Sequence, residues 1–299
     1  MLSDVTVACV QAEPVLFDLE ATIDRVGELT AEAAAQGASL VVFPESFVPC
    51  YPSNRWVRLL AAGADPGARA AFARMVENAV EVPGSACDRL GSIAREHGVW
   101  LCTGVTERAG GTIYNTLLLH AADGSLAIHH RKLMPTNHER MIWGQGDGGG
   151  LVTAEAPFGR IGGLICWENL MPLARFALYA DGVEIYLAPT ADTSDAWQDS
   201  MRHIARESRC YVITSCVLQR ASSHPDDIPL ADGPDLMDRG GSAILSPTGE
   251  YLAGPLWDEP GILVARLDGT RQREDRQRFD AAGHYHRPDV FSFSVSRPG

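Results

Sequence analysis

The feature that most constrains the fold is a long succession of short apolar segments, most of them bounded by glycine, proline or Asp-Gly turns. Their lengths and branched side chains predict strands at 5–12, 40–43, 99–106, 113–120, 125–131, 161–165, 183–189, 210–218, 242–247 and 261–267. Helical periodicity is confined to 18–36, 68–80, 85–97, 167–180 and 197–209. Strands this numerous, interleaved with few helices, predict an α/β fold in which two sheets pack together and helices cover their outer faces.

Length and charge limit the classes of protein that this chain can be. The 299 residues contain no repeat and no long Pro/Gly/Ser linker, so we expect one domain over 1–299. A net charge of -13 argues against a nucleic acid or an anionic membrane as partner, because an acidic surface repels phosphates. No apolar stretch approaches the roughly 18 residues that a membrane span needs.

The N-terminal segment and the cysteines indicate the compartment. The segment MLSDVTVACVQAEP has no basic flank or cleavage signature, so we expect the first strand of the fold there and no signal peptide. The seven cysteines are odd in number and contain no C-x-x-C pair, which is typical of reduced thiols. The sequence therefore predicts a cytoplasmic protein.

Three polar residues end or interrupt apolar runs: Glu45 in LVVFPESF, Lys132 in HHRKLMPT and Cys166 in LICWEN. Burial at the end of a strand raises a carboxyl pKa towards neutrality, which suits Glu45 to act as a general base. A sharp turn from strand to helix would expose Cys166 as a nucleophile, and the helix N-terminus with a nearby ammonium would favour its thiolate. Lys132 could then stabilise negative charge that develops during the reaction.

The basic residues add weight to one of these three. Lys132 is the only lysine among the 25 basic residues, and all the others are arginine. Because a surface ammonium could be replaced by a guanidinium, a single lysine indicates a place that needs a compact point charge and has no room for a planar group. Chance retention is the alternative interpretation.

The sequence resembles the nitrilase branch of the carbon-nitrogen hydrolase superfamily. The resemblance is carried by FPESFVPCYP, HRKLMPTNHERMIWGQGDG and CWENLMPLARFALYADGVEIYLAPT, and it extends from VACVQAEPVLFD near the start to GHYHRPDVF near the end. The pair Trp167-Glu168 after Cys166 resembles nitrilases in particular. The resemblance implies a four-layer αββα sandwich of two mixed β-sheets flanked by helices, and it implies no metal and no organic cofactor.

The resemblance also implies roles for individual residues. Glu45 would be the general base, Lys132 the stabiliser of tetrahedral intermediates and Cys166 the nucleophile, while Glu139 would position the substrate or the lysine. An organic nitrile, whether aryl, arylaliphatic or medium aliphatic, would be converted to its carboxylic acid and ammonia through a thioimidate and a thioester, with an amide as a possible minor product.

Further expectations concern the pocket and the assembly. We expect Tyr51, Trp56 and Trp167 to contribute to the substrate pocket. Cys50 stands where relatives commonly have glycine, so it could shift the substrate preference of that loop. The family assembles through helices, and the chain stops soon after GHYHRPDVF, so we expect a homodimer or a somewhat larger homo-oligomer. Subunit contacts would involve the segment from about 270 onwards.

The same residues admit other interpretations. A metal site at His129, His130 and His138 is disfavoured because strand neighbours point to opposite faces. GQGDGG at 144–149 matches a dinucleotide motif in letters only, since a strand-like segment follows it, and no G-x-S-x-G is present. An amidase, a cyanide-hydrolysing relative and a catalytically inactive scaffold protein remain the alternatives to a nitrilase.

Overall fold

The computed structural model describes residues 1–63 and 65–297 and contains two seven-stranded mixed sheets. The strands are β1 Val5–Gln11, β2 Leu40–Val42, β3 Val80–Glu81, β4 Trp100–Ala109, β5 Thr112–His120, β6 Leu126–Arg131, β7 Ala154–Ala156, β8 Gly159–Gly163, β9 Ile185–Leu187, β10 Tyr211–Thr214, β11 Leu218–Arg220, β12 Leu236–Leu245, β13 Tyr251–Trp257 and β14 Gly261–Leu267. The helices are α1 Leu19–Ala35, α2 Asn54–Ala61, α3 Pro66–Glu77, α4 Ser85–His97, α5 Pro172–Ala180, α6 Asp195–Ser208 and α7 Gly269–Arg276.

Each sheet has a parallel centre with antiparallel strands on both sides of it, and the short β3 pairs parallel with β4. The first sheet has the order β14-β1-β2-β4-β5-β6, with β3 added beside β4. The second has the order β11-β12-β10-β9-β8-β7, with β13 added beside β12. Strands β1, β2 and β4 run parallel in the first sheet, as do β8, β9 and β10 in the second. The carboxyl ends of these central strands carry the loops described below.

The core lies between the two sheets and on both outer faces. Alternate side chains of the two sheets, such as Val7 and Leu119 from one and Ile161 and Ile213 from the other, pack in a shared hydrophobic cluster. The opposite face of the first sheet packs on α1 and α4, and that of the second packs on α5 and α6. The order of layers is therefore helix, sheet, sheet, helix, and the predicted αββα sandwich is confirmed.

Two predicted elements differ from the structure. The strand expected at 210–218 is divided into β10 and β11, which both pair with β12. Between them the Ser215 hydroxyl donates to the Val10 carbonyl of the first sheet at 2.6 Å. The helix expected directly after Cys166 is a 3-10 turn, Cys166–Leu170, and α5 begins only at Pro172. Pro172 does occupy the first turn of α5, where a missing N–H costs nothing.

Among the described residues, no helix is both long enough and apolar enough to cross a bilayer.

Candidate active site

Glu45 lies in the turn that follows β2, completely buried at the end of the parallel strands. The turn sits directly on Gly104 of β4: a Cβ atom there would lie 2.2 Å from the Pro44 carbonyl oxygen and 2.5 Å from the Ser46 nitrogen. Only glycine permits this approach, so the sequence of β4 determines how far Glu45 reaches into the site.

Lys132 follows the last residue of β6 and is also completely buried. Its backbone N–H donates to the Asn115 carbonyl at 2.8 Å, which extends the pairing of β6 with β5. Its ammonium donates to Glu45 Oε1 and to Glu139 Oε2, each at 2.7 Å. One positive charge therefore bridges two buried carboxylates and leaves a third N–H for another acceptor.

Cys166 occupies a strained bend after β8. Its φ of 52° lies in the left-handed region, which is uncommon for a residue with a side chain. Its N–H donates to the Pro189 carbonyl at 2.9 Å, and Thr190 Oγ1 lies 3.2 Å from the sulfur. The sulfur and a carboxylate oxygen from each of Glu45 and Glu139 lie within 4.8 Å of one another. The four residues expected in the site thus converge.

Glu139 belongs to a 3-10 turn, Asn137–Met141, that follows Lys132. One of its oxygens accepts from Tyr51 Oη at 2.8 Å, and the other accepts from the Thr136 N–H at 2.7 Å as well as from Lys132. Both oxygens of this buried carboxyl are therefore occupied by protein donors, which fixes its orientation towards the ammonium.

Burial controls the protonation of the site. It raises the pKa of Glu45, against the opposing effect of the Lys132 charge. Burial alone would lower the pKa of Lys132, but the surrounding negative charges, Glu45 first, outweigh it and raise this pKa. Burial and the charge of Glu45 also raise the pKa of Cys166 well above its usual value.

Burial opposes the thiolate that is expected at Cys166, while the charge of Lys132 favours it. The helix N-terminus that was expected beside the sulfur is that of α5, which begins six residues further along at Pro172. The sulfur is nearly completely buried among carboxylates, so the thiol is the favoured resting form.

Glu45 is held by further donors that the sequence analysis did not identify. Asn115 Nδ2 donates to Oε1 at 2.6 Å, and the backbone N–H of Ala191 donates to Oε2 at 2.7 Å. Asn115 is a polar residue inside the apolar run of β5, which is a signal that could have identified it. A backbone donor such as Ala191 has no such signal.

A second buried pair joins the segments that carry Lys132 and Cys166. Glu168 accepts from the backbone N–H groups of Ile165 and Leu133 at 2.9 and 2.8 Å, and its carboxyl contacts His130. In the sequence Glu168 is recognisable only as part of the motif after Cys166, which does not predict this function of holding the two segments together.

The residues expected in the pocket fall in three places. Tyr51 lines a cavity of about 390 Å³, together with Ala191 and with polar side chains, namely Ser53, Asn54, Arg55, Arg58, His138, Asp232 and Asp238. Trp56 is fully buried beside Phe17 and lies behind the wall of this cavity, so its contribution to the substrate pocket stays a prediction. Trp167 is 45% exposed, and its indole N–H donates to Asp192 at 2.7 Å, outside the lining of that cavity.

Cys50 also lies behind the wall. It is completely buried in the cluster that contains Phe17 and Trp56, and it does not line the cavity. Any influence of Cys50 on the substrate must therefore pass through the packing of its neighbours.

The acidic groups of the site have the arrangement of a cation site. Glu45, Glu139 and Cys166 could supply three ligand atoms. The ammonium of Lys132, however, already lies 2.7 Å from each carboxylate and takes the position that a cation would need. Two of the histidines proposed as metal ligands contact different carboxyls: His129 contacts Glu107 and His130 contacts Glu168.

Comparisons with known proteins agree with this geometry. The family model described as carbon-nitrogen hydrolase matches residues 6–277. An aliphatic nitrilase of Sinorhizobium fredii is 45% identical over 291 residues, which cover 96% of this chain and 94% of that protein. A bifunctional nitrilase/nitrile hydratase of Nicotiana tabacum is 42% identical over 293 residues, covering 96% and 84%.

A solved structure supports the fold. A CN-hydrolase superfamily protein of Xanthomonas campestris superimposes with a TM-score of 0.75 at 20% identity, covering 99% of this chain and 100% of that one. The chain belongs to the carbon-nitrogen hydrolase family. Within the family its curated relatives place it in the nitrilase branch, and the family predicted from the sequence is confirmed.

Proposed function

We propose that this chain, folded as one domain, is a nitrilase that converts an organic nitrile and two molecules of water into a carboxylic acid and ammonia. The observation that carries the proposal is the convergence of a cysteine, two carboxylates and one lysine in a buried site of a chain 45% identical to an aliphatic nitrilase. Aryl, arylaliphatic and medium aliphatic nitriles are the candidate substrates.

Cys166 is the proposed nucleophile and Glu45 the proposed general base. As the sulfur attacks the nitrile carbon, the thiol proton passes to Glu45, whose raised pKa makes it a stronger base than an exposed carboxylate. Glu45 then delivers the proton to the nitrile nitrogen, and the product is a neutral thioimidate bound to the enzyme. This order requires no resting thiolate, in agreement with the high pKa of Cys166.

Hydrolysis of the thioimidate uses the same base. Glu45 removes a proton from a water molecule, the hydroxyl adds to the carbon, and the imine nitrogen receives that proton to become an amine. The proton of the added hydroxyl then passes through Glu45 to the amine, which leaves as ammonia as the carbonyl of the thioester forms. The thioester that remains is hydrolysed by a second water, which releases the acid and restores the thiol.

Lys132 is the proposed stabiliser of both tetrahedral species. Two of its three N–H bonds are donated to Glu45 and Glu139, which leaves one for the developing negative charge. Glu139 holds the ammonium in place through bonds that also involve Tyr51 and Thr136.

An amide is the proposed minor product. It forms when the tetrahedral species expels the thiolate of Cys166 and retains its nitrogen. The name of the tobacco relative, a bifunctional nitrilase/nitrile hydratase, supports this branch. The ratio of amide to acid is measured in the same reactions as ammonia.

The test is ammonia release by the purified protein from phenylacetonitrile, benzonitrile, a short aliphatic dinitrile, cyanide and the matching amides. Release from organic nitriles is expected, and Cys166→Ala should abolish it while leaving the circular dichroism spectrum unchanged. Release from amides alone would indicate an amidase, and release from cyanide alone would indicate a cyanide-hydrolysing enzyme. A folded wild-type protein that acts on none of them would support a scaffold function.

We also propose a homodimer or larger homo-oligomer in the cytoplasm. Apolar side chains lie exposed on α5 and on the C-terminal segment packed beside it: Leu173 is 71% exposed and Phe291 67%, while Phe293 contacts Phe176 with ring centroids 4.9 Å apart. This surface supports subunit contacts. Sedimentation velocity tests these subunit contacts: the wild type should sediment as an oligomer, and Leu173→Glu should sediment as a smaller species. The seven buried free cysteines support a reducing compartment.

A further inference from the structure

Asp238 is a carboxyl in the wall of the cavity that no described residue neutralises. It lies in β12 and lines the same 390 Å³ space as Tyr51 and Ala191. Among the described residues, none forms a hydrogen bond or an ion pair with the side chain of Asp238. The other two carboxyls of the site differ, since Glu45 and Glu139 each accept from several donors.

The two arginines of the cavity are directed elsewhere. Arg55 donates from Nε to the Ala231 carbonyl at 2.6 Å and from Nη1 to the Pro234 carbonyl at 2.8 Å. Arg58 donates from Nε to Asn54 Oδ1 at 2.9 Å. Neither therefore forms an ion pair with Asp238, although both border the same space.

The position of Asp238 relates it to the reacting groups. Tyr51 and Ala191, which share the cavity wall with it, are hydrogen-bonded to Glu139 and Glu45. Glu45 is near enough for its charge to contribute, after burial, to raising the pKa of Asp238 to about 7. The cavity wall that contains Asp238 thus includes residues that contact two of the reacting carboxyls.

Asp238 is partly buried, and a carboxyl in such a position loses part of its hydration without gaining a partner in exchange. A bound molecule that supplies a hydrogen-bond donor would satisfy this carboxyl. The carboxyl and the cavity together therefore favour a ligand that carries such a donor. A hydroxyl or an amine provides such a donor, whereas a purely hydrocarbon nitrile does not.

We propose that Asp238 is a specificity-determining residue of the site, which accepts a hydrogen bond from a hydroxyl or amine group carried by the nitrile close to its cyano group. This inference rests on the proposed nitrilase function and adds the class of substrate. Donor-bearing nitriles are preferred over isosteres that carry a methyl group in place of the donor.

The experiment compares kcat/KM for 3-hydroxypropionitrile and butyronitrile, which differ by a hydroxyl in place of a methyl group. Wild-type enzyme should favour the hydroxynitrile, and Asp238→Leu should lower the ratio of the two values by about 10- to 100-fold, the effect of one hydrogen bond to an ionised group. The ratio is insensitive to the amount of folded enzyme, so a partly unstable variant still gives an answer.

Two further variants sharpen the comparison. Asp238→Asn keeps one acceptor oxygen and loses the charge, so its ratio should lie between those of the wild type and Asp238→Leu. Asp232→Asn removes the same charge from an exposed position on the same cavity and should keep the wild-type ratio. An equal fall in Asp232→Asn and Asp238→Asn would mean that overall charge selects the substrate, and this would overturn the assignment of Asp238.

The pH dependence of the kcat/KM ratio is a second test of the function of Asp238. An ionised carboxylate accepts a stronger hydrogen bond than a neutral one, so the wild-type ratio should rise between about pH 6 and pH 8, and it should be flat in Asp238→Asn. Glu45, Arg55, Arg58, His138 and Asp232 also face this region. Burial lowers the pKa of His138. Any titration of His138 or Glu45 that affects both substrates alike cancels in the ratio.

The outcomes separate the two proposals. If wild type and Asp238→Leu release ammonia from both nitriles with the same ratio, the assignment of Asp238 is overturned and nitrile hydrolysis stands. If the folded wild type hydrolyses no nitrile of any kind, both proposals are overturned together.

Discussion

The imidazole of His130 lies against both oxygens of the Glu168 carboxyl, with Nε2 at 3.0 Å from one and 2.9 Å from the other. Both side chains are completely buried, and Glu168 also accepts two backbone N–H groups, from Leu133 and Ile165. Burial alone would raise the pKa of Glu168, but the charge and hydrogen bond of His130 outweigh it and lower this pKa. An ionised carboxyl thus connects the residue after Lys132 to the residue before Cys166.

Glu168→Gln should weaken this connection. A side-chain amide has one oxygen and one NH₂ group, so at least one of the two backbone donors would face another donor. We expect a loss of about 1–3 kcal/mol in the free energy of unfolding and a fall in kcat larger than any change in KM. Urea denaturation and steady-state kinetics measure both, with the exposed Glu96→Gln as control. Normal kcat in a destabilised Glu168→Gln protein would leave Glu168 with a purely structural function.

Gly104→Ala should displace the turn that carries Glu45. The added methyl group would lie 2.2 Å from the Pro44 carbonyl oxygen, so the backbone must move. We expect a destabilisation of about 1–3 kcal/mol together with a fall in kcat. Gly111→Ala is the matched control, because a methyl group added there would meet no atom within 4 Å. Equal activity in the two variants would mean that the turn tolerates displacement.

Replacement of Lys132 separates charge from shape. Lys132→Arg keeps the charge but adds a planar group in a completely buried position, and we expect turnover to be lost. Lys132→Met leaves the Glu45 and Glu139 carboxyls without their cation and should cost about 3–5 kcal/mol in stability. Arg131→Lys, one residue away and paired with Glu107, is the control and should stay active. Full activity of Lys132→Arg would contradict the importance of the single lysine.

Glu45→Gln should have opposite effects on turnover and on thiol reactivity. Loss of the proposed base should abolish nitrile hydrolysis. The negative charge of Glu45 raises the pKa of Cys166 and Lys132 lowers it, so neutralising Glu45 should lower that pKa. Iodoacetamide should then alkylate Cys166 faster in the variant at about pH 8, as measured by mass spectrometry. Glu45→Gln/Cys166→Ala identifies the alkylated residue, and slower alkylation in Glu45→Gln would refute the electrostatic explanation.

Glu107 should contribute to acid sensitivity. Burial would raise its pKa, but hydrogen bonds from His129 and Arg131 outweigh this and lower the pKa to about 2, below the usual 4.5. A carboxyl with a lowered pKa stabilises the fold above its unfolded-state pKa, and this contribution is lost as the pH falls from about 4.5 towards 2. Urea midpoints of Glu107→Gln should therefore change less between pH 5 and pH 3 than those of the wild type. The control is Glu81→Gln, which removes an exposed carboxyl paired with Arg108.

The sequence predicted those parts of the site that have a local signal. Glu45 and Cys166 were identified because each follows an apolar strand directly, and Lys132 because it is the only lysine. Glu139 has no comparable signal of its own and came from the resemblance to nitrilases. The wider contacts, such as the Ala191 N–H on Glu45, depend on how two sheets meet and have no pattern in the chain.

The fold, too, was predicted where the sequence has a local signal. Apolar runs located most strands, and the αββα order followed from the resemblance. The elements missed were β3, β7, β13, α2 and α7. Strands β3 and β7 have only two and three residues, β13 is only partly buried, and α7 is a charged segment without an apolar stripe. Asp238 lies at the start of β12, where burial is incomplete and periodicity is weak, so only the cavity reveals its position.

The single lysine makes this site directly observable. A sample grown with ¹⁵N-labelled lysine carries one labelled side chain in the whole chain, and that nitrogen lies 2.7 Å from both Glu45 and Glu139. Its NMR signal needs no assignment, so each substrate, inhibitor or variant can be followed by one resonance at the centre of the site.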